Sequence, residues 1–316
     1  MDLSVVVPCY REEPMIPLLV ERLEAVCDAL PLKSEIILVD DGSPDETWAE
    51  IEKAANASRR LRGVRLAANR GHQSALTAGL AEARGDRILM LDADLQDPPE
   101  ILPDMIALMD RGYDVVYGRR VERIGETAFK RASAHLFYRL INRISDVPIP
   151  QDTGDFRLVS RRALDAFLDM PEKARFVRGM FAWVGFRQIG IDYVRAPRAA
   201  GETKYPLKAM IRFAADAITG FSTRPLRLAT GLSFISLAIA VAMAVYVFGS
   251  ILFYQTAPGW ASTLLAISFF SAMQLLALGI MGEYIGRLYQ EAKGRPLYHV
   301  AERAEPGETS EREAAE

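Results

Sequence analysis

Short apolar, β-branched runs alternate with longer helical patterns along residues 3–120. Five runs predict strands: Leu3–Cys9, Glu35–Val39, Val64–Leu66, Arg87–Leu91 and Asp114–Tyr117. Four intervening segments with helical periodicity predict helices: Pro14–Leu30, Asp45–Arg60, Gln73–Arg84 and Pro99–Arg111. Repeated βα units predict an α/β fold with a doubly wound, mainly parallel sheet, and such sheets bind ligands at the carboxyl ends of their strands.

The hydrophobic pattern changes in the last third of the chain. No Asp, Glu, Lys or Arg occurs from residue 228 to residue 282. The runs Leu228–Tyr254 and Ala261–Gly282 have the length of membrane spans, and a pair of buried core helices would not need such long uncharged runs. Before them, Tyr205–Thr223 mixes apolar residues at helical spacing with charged ones. This pattern predicts an amphipathic helix on the membrane face, with an ordinary helix packed on the domain as the alternative.

Positive residues flank the outer ends of the two spans. They are Arg224, Arg227, Arg287, Lys293 and Arg295, and the connecting loop has none. This predicts that both termini are cytoplasmic. The resulting organisation is a cytosolic domain (1–204), interface helices (205–227), two transmembrane helices (228–254 and 261–282), and a cytosolic juxtamembrane segment with an acidic tail (283–316). We expect the tail beyond Ala301 to be disordered.

Composition excludes several classes of protein. The 316 residues include only two cysteines, Cys9 and Cys27, which excludes a disulfide scaffold. The net charge of −3 is mostly that of residues 302–316, where six Glu and two Arg contribute −4, so no nucleic-acid binding is indicated. The sequence has no G-x-G-x-x-G or P-loop motif, which argues against a dinucleotide dehydrogenase or a P-loop NTPase.

Acidic clusters follow two of the predicted strands. Asp40 and Asp41 follow the second strand, and Asp92-Ala93-Asp94 follows the fourth. Carboxylate and amide oxygens suit Mg²⁺ or Mn²⁺, which commonly bridge to substrate phosphates, so Asp94 and Gln96 are candidate ligands. A D-x-D sequence alone is more often a solvated turn, but its place at a strand end beside a second acidic pair favours a functional site.

Basic residues form a second group of candidates for phosphate contacts. They are Arg119, Arg120, Lys130, Arg131, Arg157, Arg178 and Lys204. Such scattered cations are usually solvated. Their position after the fifth strand or just ahead of the amphipathic segment suits a site that joins a diphosphate to a membrane-borne phosphate.

Ordered motifs from Leu3 to Tyr298 resemble one known family. They are LSVVVPCYREE, VDDGSPDET, NRGHQSAL, LDADLQDPPE, DTGDFRL, RFVRGMFAWVGFRQ, GETKY and GEYIGRLYQEAKGRPLY. The chain resembles the polyprenyl-phosphate glycosyltransferases of glycosyltransferase family 2. DADLQDPPE is similar to the dolichol-phosphate mannose synthase branch, and the later motifs with two spans are similar to the bactoprenol glucosyltransferases. The resemblance implies a GT-A fold.

The resemblance also implies roles for particular residues. Nucleotide-sugar contacts are expected from Pro8, Tyr10, Glu12, Asp41, Asp92 and Arg119, and a metal site from Asp92, Asp94 and Gln96. Lipid-phosphate contacts are expected from Lys130, Arg131, Arg178 and Lys204. Asp94 and Asp155 are expected to be catalytic, and Asp155 lies where the family has its candidate base. Alternatively, Asp155 orients a cation such as Arg157 or caps the turn at Gly154.

These observations together predict a metal-dependent membrane enzyme. We expect inverting transfer of a hexose, glucose from UDP-glucose, to undecaprenyl phosphate at the cytoplasmic face of a bacterial inner membrane, with Mg²⁺ or Mn²⁺ at the diphosphate. GDP-mannose, UDP-GlcNAc and a modified pentose are alternative donors, and a non-enzymatic membrane scaffold is an alternative from another class. The resemblance also suggests a homo-oligomer, a tetramer, embedded in the lipid bilayer.

Overall fold

The computed structural model describes residues 1–120, 153–194, 224–253 and 259–307. These residues belong to two compact units, one containing 1–120, 153–194 and 296–307 and the other containing 224–253 and 259–295. The predicted amphipathic helix Tyr205–Thr223 and the predicted site residues Lys130, Arg131 and Lys204 lie outside the described residues.

The first unit is built on an eight-stranded mixed sheet. Its strands are β1 (Leu3–Cys9), β2 (Ser34–Asp40), β3 (Leu61–Leu66), β4 (Arg87–Met90), β5 (Val115–Arg120), β6 (Thr153–Ser160), β7 (Gln188–Tyr193) and β8 (Val300–Ala304). Their order is β7-β5-β6-β4-β1-β2-β3-β8. β6 runs antiparallel to β4 and β5, and β8 antiparallel to β3, whereas the other neighbouring strands are parallel. The predicted doubly wound, mainly parallel sheet is therefore confirmed.

Helices connect the strands of this unit. They are α1 (Ile16–Asp28), α2 (Thr47–Ala57), α3 (His72–Glu82), α4 (Leu102–Asp110), α5 (Arg161–Leu168) and α6 (Val177–Val184). The four helices predicted within residues 14–111 all form, each shorter than predicted. The segment predicted as one helix from Pro99 opens with a 3₁₀ turn, Pro99–Ile101, before α4. A proline is tolerated in the first turn, where its missing N–H has no intrahelical partner to lose.

The core lies on both faces of the central strands. Every side chain of β1 is buried, as expected for a parallel strand covered on both sides. α1 contributes Ile16, Leu19, Leu23 and Cys27, whose spacing of three or four residues forms one apolar stripe. Each fully buried aliphatic side chain contributes about 1.5–3 kcal/mol to folding. This rigid core holds the loops at the carboxyl edge of the sheet.

The C-terminal tail contains a strand, so the expectation of disorder beyond Ala301 is wrong for the residues that complete β8. β8 pairs with the edge strand β3, with Ala304 opposite Gly63 and Glu302 opposite Arg65. Two arginines of β3 form ion pairs with this segment: Arg62 with Glu305 at 3.0 Å, and Arg65 with Glu302 at 2.8 Å. The edge of β3 offers unpaired backbone groups and cations, and these order a segment whose composition indicated disorder.

The second unit consists of two long helices, α7 (Arg224–Phe253) and α8 (Trp260–Ala292). Ala229–Tyr246 has a mean hydropathy of 1.9 and Phe269–Ala292 of 1.3, so both helices are long and apolar enough to cross a membrane. Large apolar side chains such as Phe234, Val245 and Leu275 are exposed on them. α8 continues beyond the predicted end of the second span at Gly282 and carries an ion pair between Glu283 and Arg287 at 3.3 Å.

Candidate active site

The register between β4 and β6 brings Asp155, a candidate catalytic residue, and Asp92, a candidate donor and metal ligand, to one edge of the sheet. β6 is antiparallel to β4, with Arg87 opposite Ser160 and Met90 opposite Arg157. Because the two strands run in opposite directions, the beginning of β6 lies at the carboxyl end of β4. Asp155, near the start of β6, is therefore brought close to Asp92, which follows β4.

Asp155 is buried, with 7% of its surface exposed, and among the described residues three side chains contact its carboxylate. Gln73, from the first turn of α3, donates a hydrogen bond from Nε2 to Oδ2 over 2.9 Å. Arg178, from the first turn of α6, forms an ion pair from Nε to Oδ1 over 3.3 Å. His72 Nδ1 lies 3.6 Å from Oδ2. These contacts give the Asp155 carboxylate a defined orientation.

His72 links this carboxylate to the D-x-D sequence. Its Nε2 lies 2.9 Å from Oδ1 of Asp92, while its Nδ1 faces Asp155. Burial lowers the pKa of His72, but the hydrogen bond and charge of Asp92 and the charge of Asp155 outweigh it, so the pKa lies above its ordinary value. Asp92 and Asp155 thus belong to one polar cluster.

The loop that carries the D-x-D sequence turns sharply and is anchored at its end. Leu95 has a positive φ of 54°, and its carbonyl oxygen accepts a hydrogen bond from Arg22 Nη1 over 3.3 Å. The buried Asp97 accepts a hydrogen bond from the Tyr193 hydroxyl and lies 3.5 Å from Nη2 of Arg120. Burial and the charge of Asp97 raise the pKa of Tyr193, so this hydroxyl remains a donor.

Gly154 allows the start of β6 to approach this anchor. A Cβ atom at this position would lie 2.6 Å from Nη2 of Arg120, closer than real contacts allow. A larger residue before Asp155 would therefore displace the guanidinium of Arg120. The start of β6, which leads to Asp155, is thus packed against the side chains of Arg120 and Asp97.

Within the described residues, no group of three or more His, Cys, Asp or Glu side chains is arranged as a metal site. Mg²⁺, however, is commonly held by one or two carboxylates, with substrate phosphates and water completing its shell. The oxygen donors of Asp92, Asp94 and Gln96 lie in one short turn, in which Asp94 Oδ1 accepts a hydrogen bond from the backbone N–H of Gln96 over 3.2 Å. This donor set fits a hard divalent cation that also binds a diphosphate.

A second acidic loop follows β2. The two oxygens of Asp41 accept hydrogen bonds from the backbone N–H groups of Arg70 and Gly71, both over 2.8 Å. Burial raises the pKa of Asp41, although these hydrogen bonds oppose the shift. Gly42 has a φ of 64°, and a Cβ there would lie 2.8 Å from the carbonyl carbon of Ala68. The loops after β2 and β3 are therefore packed directly together.

The loop after β1 lies beside this acidic loop. Ser43 Oγ accepts a hydrogen bond from the backbone N–H of Arg11 over 3.0 Å. Thr47 Oγ1 accepts one from the backbone N–H of Glu12, also over 3.0 Å. Pro8 is buried in β1, whereas Tyr10 is 40% exposed at the surface of the loop. The predicted nucleotide-binding residues of these two loops are thus neighbours at the carboxyl edge of the sheet.

Arg119 and Arg120 point to opposite faces of β5. Arg119, predicted to bind the nucleotide sugar, is exposed and forms an ion pair with Asp192 of β7, with Nη2 2.9 Å from Oδ2. Arg120 faces the D-x-D loop instead, through Asp97 and Tyr193. No contact between Arg119 and the acidic cluster is among the described interactions, so its predicted role in donor binding stays a prediction.

Sequence reasoning did not single out His72, Gln73, Asp97 or Tyr193. His72 and Gln73 lie in NRGHQSAL, a polar segment directly after β3 that opens α3. A polar pair at the start of a helix that follows a parallel strand is the signal that points to this edge of the sheet. Nothing in the sequence pattern distinguishes Asp97 from the other acids of its loop.

Arg157 of β6 is buried and lies against α6. Its Nη2 donates a hydrogen bond to the carbonyl oxygen of Gly154 over 3.1 Å, and its guanidinium lies over the ring of Phe181 at 5.6 Å. Burial lowers the pKa of Arg157 to about 10, although the nearby charge of Asp155 opposes the shift. Arg157 therefore connects the start of β6 with α6, next to Asp155.

A doubly wound sheet with an acidic D-x-D loop and a second acidic loop at its carboxyl edge is the arrangement of a GT-A transferase. Residues 4–168, more than half of the chain, match the family model described as glycosyl transferase family 2. The chain therefore belongs to glycosyltransferase family 2. This confirms the predicted family and, together with the observed sheet, the predicted GT-A fold.

Relatives align over nearly the whole chain. The "Uncharacterized glycosyltransferase YkcC" of Bacillus subtilis is 44% identical over 304 residues, which cover 94% of this chain and 92% of that protein. The "Prophage bactoprenol glucosyl transferase homolog" of Escherichia coli is 37% identical and covers 95% and 98%. The "Bactoprenol glucosyl transferase" of Shigella phage SfII is 36% identical and covers 95% and 97%.

Solved structures match the chain at low sequence identity. The mannosyltransferase PcManGT from Pyrobaculum calidifontis, solved with GDP-Man and Mn²⁺, is 20% identical with a TM-score of 0.45, and the match covers 90% of this chain and 86% of that one. Glucosyl-3-phosphoglycerate synthase from Mycobacterium tuberculosis is 21% identical with a TM-score of 0.45 and covers 69% and 77%.

Proposed function

We propose that this protein transfers glucose from UDP-glucose to undecaprenyl phosphate at the cytoplasmic face of a membrane, with inversion at the anomeric carbon. Family membership and the names of relatives that align over nearly the whole chain support this reaction. The observation that carries the proposal is the bridge of His72 between Asp92 and Asp155. It unites a D-x-D sequence suited to a nucleoside diphosphate with a carboxylate suited to the acceptor side.

The donor is proposed to lie along the loops after β1, β2 and β4. Pro8, Tyr10, Glu12 and Asp41 would face the nucleoside, and Asp92 the sugar diphosphate. Asp92, Asp94 and Gln96 would hold Mg²⁺ or Mn²⁺, which would neutralise charge on the leaving diphosphate as a Lewis acid. Asp94 is thus proposed to be catalytic through its contact with the ion.

The acceptor chemistry assigns Asp155 an orienting role. A phosphate monoester has a second pKa of about 6, so at neutral pH the lipid phosphate is mostly a dianion and already nucleophilic. A general base is therefore needed less than for a sugar hydroxyl. Asp155 is proposed to fix Arg178, with which it forms an ion pair at 3.3 Å, so that the cation meets a phosphate group. Lys130, Arg131 and Lys204 remain proposed lipid-phosphate contacts.

The connectivity of β8 supports the proposed topology. β8 follows the second long helix in sequence and pairs with β3 in the same sheet as the candidate site. If both long helices span the membrane, the chain returns after the second span to the side that holds the catalytic sheet. Together with the flanking positive residues, this supports two spans with the catalytic unit and both termini in the cytoplasm. The predicted tetramer remains a prediction.

The test is a transfer assay on the full chain purified in detergent, with undecaprenyl phosphate and radiolabelled UDP-glucose, GDP-mannose, UDP-GlcNAc and a nucleotide-linked pentose. We expect lipid-linked product from UDP-glucose. Asp110→Ala is the matched control for acidic-site variants, since Asp110 forms an ion pair with Arg87, at the amino end of β4. Transfer from another donor only would correct the sugar. Membrane binding without transfer from any donor would favour the scaffold alternative.

A further inference from the structure

Gln73 makes contacts to two elements that meet at the candidate site. Its Nε2 lies 2.9 Å from Oδ2 of Asp155 and 3.2 Å from Nδ1 of His72, and its Oε1 lies 2.8 Å from the backbone nitrogen of Val177. Val177 opens α6, the helix that also carries Arg178. One amide side chain therefore connects the start of α3 with Asp155 and with the start of α6.

The orientation of this amide follows from its partners. A backbone N–H can only donate, so the group facing Val177 must be the carbonyl oxygen Oε1. The NH₂ group then faces the Asp155 carboxylate, which accepts, and Nδ1 of His72, which accepts when the ring is neutral. The proton of the neutral ring consequently lies on Nε2, where it is donated to Asp92 over 2.9 Å.

The geometry points to Gln73 as a positioning residue that sets the orientation of Asp155 and, through Val177, the start of the helix that carries Arg178. This inference rests on the proposed transfer reaction, in which Asp155 and Arg178 act together. Gln73 itself needs no contact with substrate. Its role depends on being a donor to a carboxylate and an acceptor from a backbone amide at the same time.

Two substitutions separate these functions. In Gln73→Glu the size and the acceptor toward Val177 are kept, but the donor to Asp155 is replaced by an oxygen. When the introduced carboxyl group is ionised it repels Asp155, and when it is protonated its hydroxyl donates to Asp155 as the amide does. The charged groups facing this pair are His72 on α3, Arg178 on α6 and Arg157 on β6. Gln73→Met removes both hydrogen bonds.

We expect kcat of Gln73→Glu to fall by about 10²-fold at pH 8, comparable with losing one preorganised electrostatic group, with KM for the nucleotide sugar changed less than about threefold. The loss should shrink below about tenfold near pH 5.5, where protonation of the introduced carboxylate restores the donor. Gln73→Met should show a loss that does not shrink toward acid. If Gln73→Glu lowered kcat by the same factor at pH 5.5 and at pH 8, the inference would be overturned.

The matched control is Gln188→Glu. Gln188 donates a hydrogen bond from Nε2 to the carbonyl oxygen of Phe181, toward the other end of α6, over 2.6 Å. The same chemical change there perturbs the helix without a described contact to Asp155. We expect its kcat to stay within about threefold of the wild type from pH 5.5 to 8. If Gln188→Glu instead lowered kcat at pH 8 and regained it toward pH 5.5, as expected for Gln73→Glu, the effect would belong to α6 in general and the inference would be overturned.

Hydrogen exchange gives a readout that does not need activity. The Val177 amide is protected by Gln73 Oε1, so Gln73→Met should accelerate its exchange at least about tenfold, whereas Gln73→Glu and Gln188→Glu should not. A wild-type protein without transfer from any donor, but with this exchange pattern, would refute the proposed function and leave the contact intact. Unchanged Val177 exchange in Gln73→Met would refute the contact itself.

Discussion

Arg62 on β3 and Glu305, the residue after β8, form an ion pair of 3.0 Å across 243 positions of sequence. The same guanidinium lies 3.4 Å from Glu35 and 3.4 Å from Glu82, and its side chain is only 5% exposed. A buried cation thus neutralises carboxylates of β2 and α3 and attaches the segment that follows the second long helix. The edge of the catalytic sheet is closed by a strand from the end of the chain.

The first prediction concerns this buried cation. Arg62→Met should destabilise the first unit by about 3 kcal/mol, because removing one partner leaves the buried carboxylate of Glu35 without its counter-charge. Arg303→Met is the control, since Arg303 is half exposed in its ion pair with Glu82 and such surface pairs contribute about 1 kcal/mol or less. Denaturant unfolding in detergent measures both variants. Equal free energies of unfolding for Arg62→Met and Arg303→Met would show that the buried Arg62 stabilises the sheet no more than a surface arginine does.

The second prediction concerns the proposed metal. Chelation with EDTA should stop transfer, and Mg²⁺ or Mn²⁺ should restore it. Asp94→Ala should lower kcat by about 10²-fold, the order of loss for one charge-stabilising group in a transition state. Asp110→Ala, which removes a carboxylate at the end of α4, should retain activity. Full activity in EDTA would exclude Asp94 and Gln96 as ligands of a required ion.

How much of this site the sequence could predict depends on the kind of contact. Apolar, β-branched runs and helical patterns located the first five strands and the four helices between them, and the polar residues after β1, β2 and β4 indicated the edge of the sheet where the candidate site lies. The juxtaposition of Asp92 with Asp155 depends on β6 running antiparallel to β4, which the apolar pattern does not encode. His72 and Gln73 were missed because side-chain bridges between elements depend on tertiary packing.

The same dependence on tertiary packing explains why the strand in the tail, and the different contacts of Arg119 and Arg120, were not predicted. The five residues of β8 lie in a segment rich in Glu, so average composition indicated disorder, while Glu302 and Glu305 pair with Arg65 and Arg62 of the neighbouring strand. Arg119 and Arg120 have the same chemistry in the sequence. Because adjacent residues of a strand point to opposite faces, the two side chains make different contacts in the structure. Only the register of β5 determines which of them faces Asp97.

The third prediction concerns pH and donor binding. Burial raises the pKa of Asp41 above its ordinary value of 3.8, so on acidification this carboxylate takes up a proton earlier than an exposed aspartate. If ionised Asp41 binds the nucleotide, KM for the donor should rise as the pH falls through this raised pKa, and should level off above it. Asp41→Asn should have a raised KM with little pH dependence in that range. A wild-type donor KM that is constant from pH 7 to pH 4 would remove Asp41 from the donor site.

The last prediction concerns Asp155, whose two oxygens contact Gln73 and Arg178. Asp155→Asn keeps the size of the side chain and removes its charge, so it weakens the hold on Arg178. An essential base would give a large loss at pH 6 that shrinks toward pH 8.5, because the lipid phosphate, with a pKa of about 6, is then fully ionised. An orienting carboxylate gives a loss that is nearly independent of pH.

We expect the second pattern, with kcat lowered by about 10²-fold at both ends of the range. Initial rates with UDP-glucose and undecaprenyl phosphate from pH 6 to pH 8.5 measure it, with Asp110→Ala as the control for loss of a carboxylate elsewhere. A loss confined to the acidic end would make Asp155 a base that deprotonates the phosphate monoanion. Near-normal rates throughout would leave Asp155 with a structural role only, because a carboxylate that fixes a phosphate-binding arginine cannot be neutralised without slowing transfer.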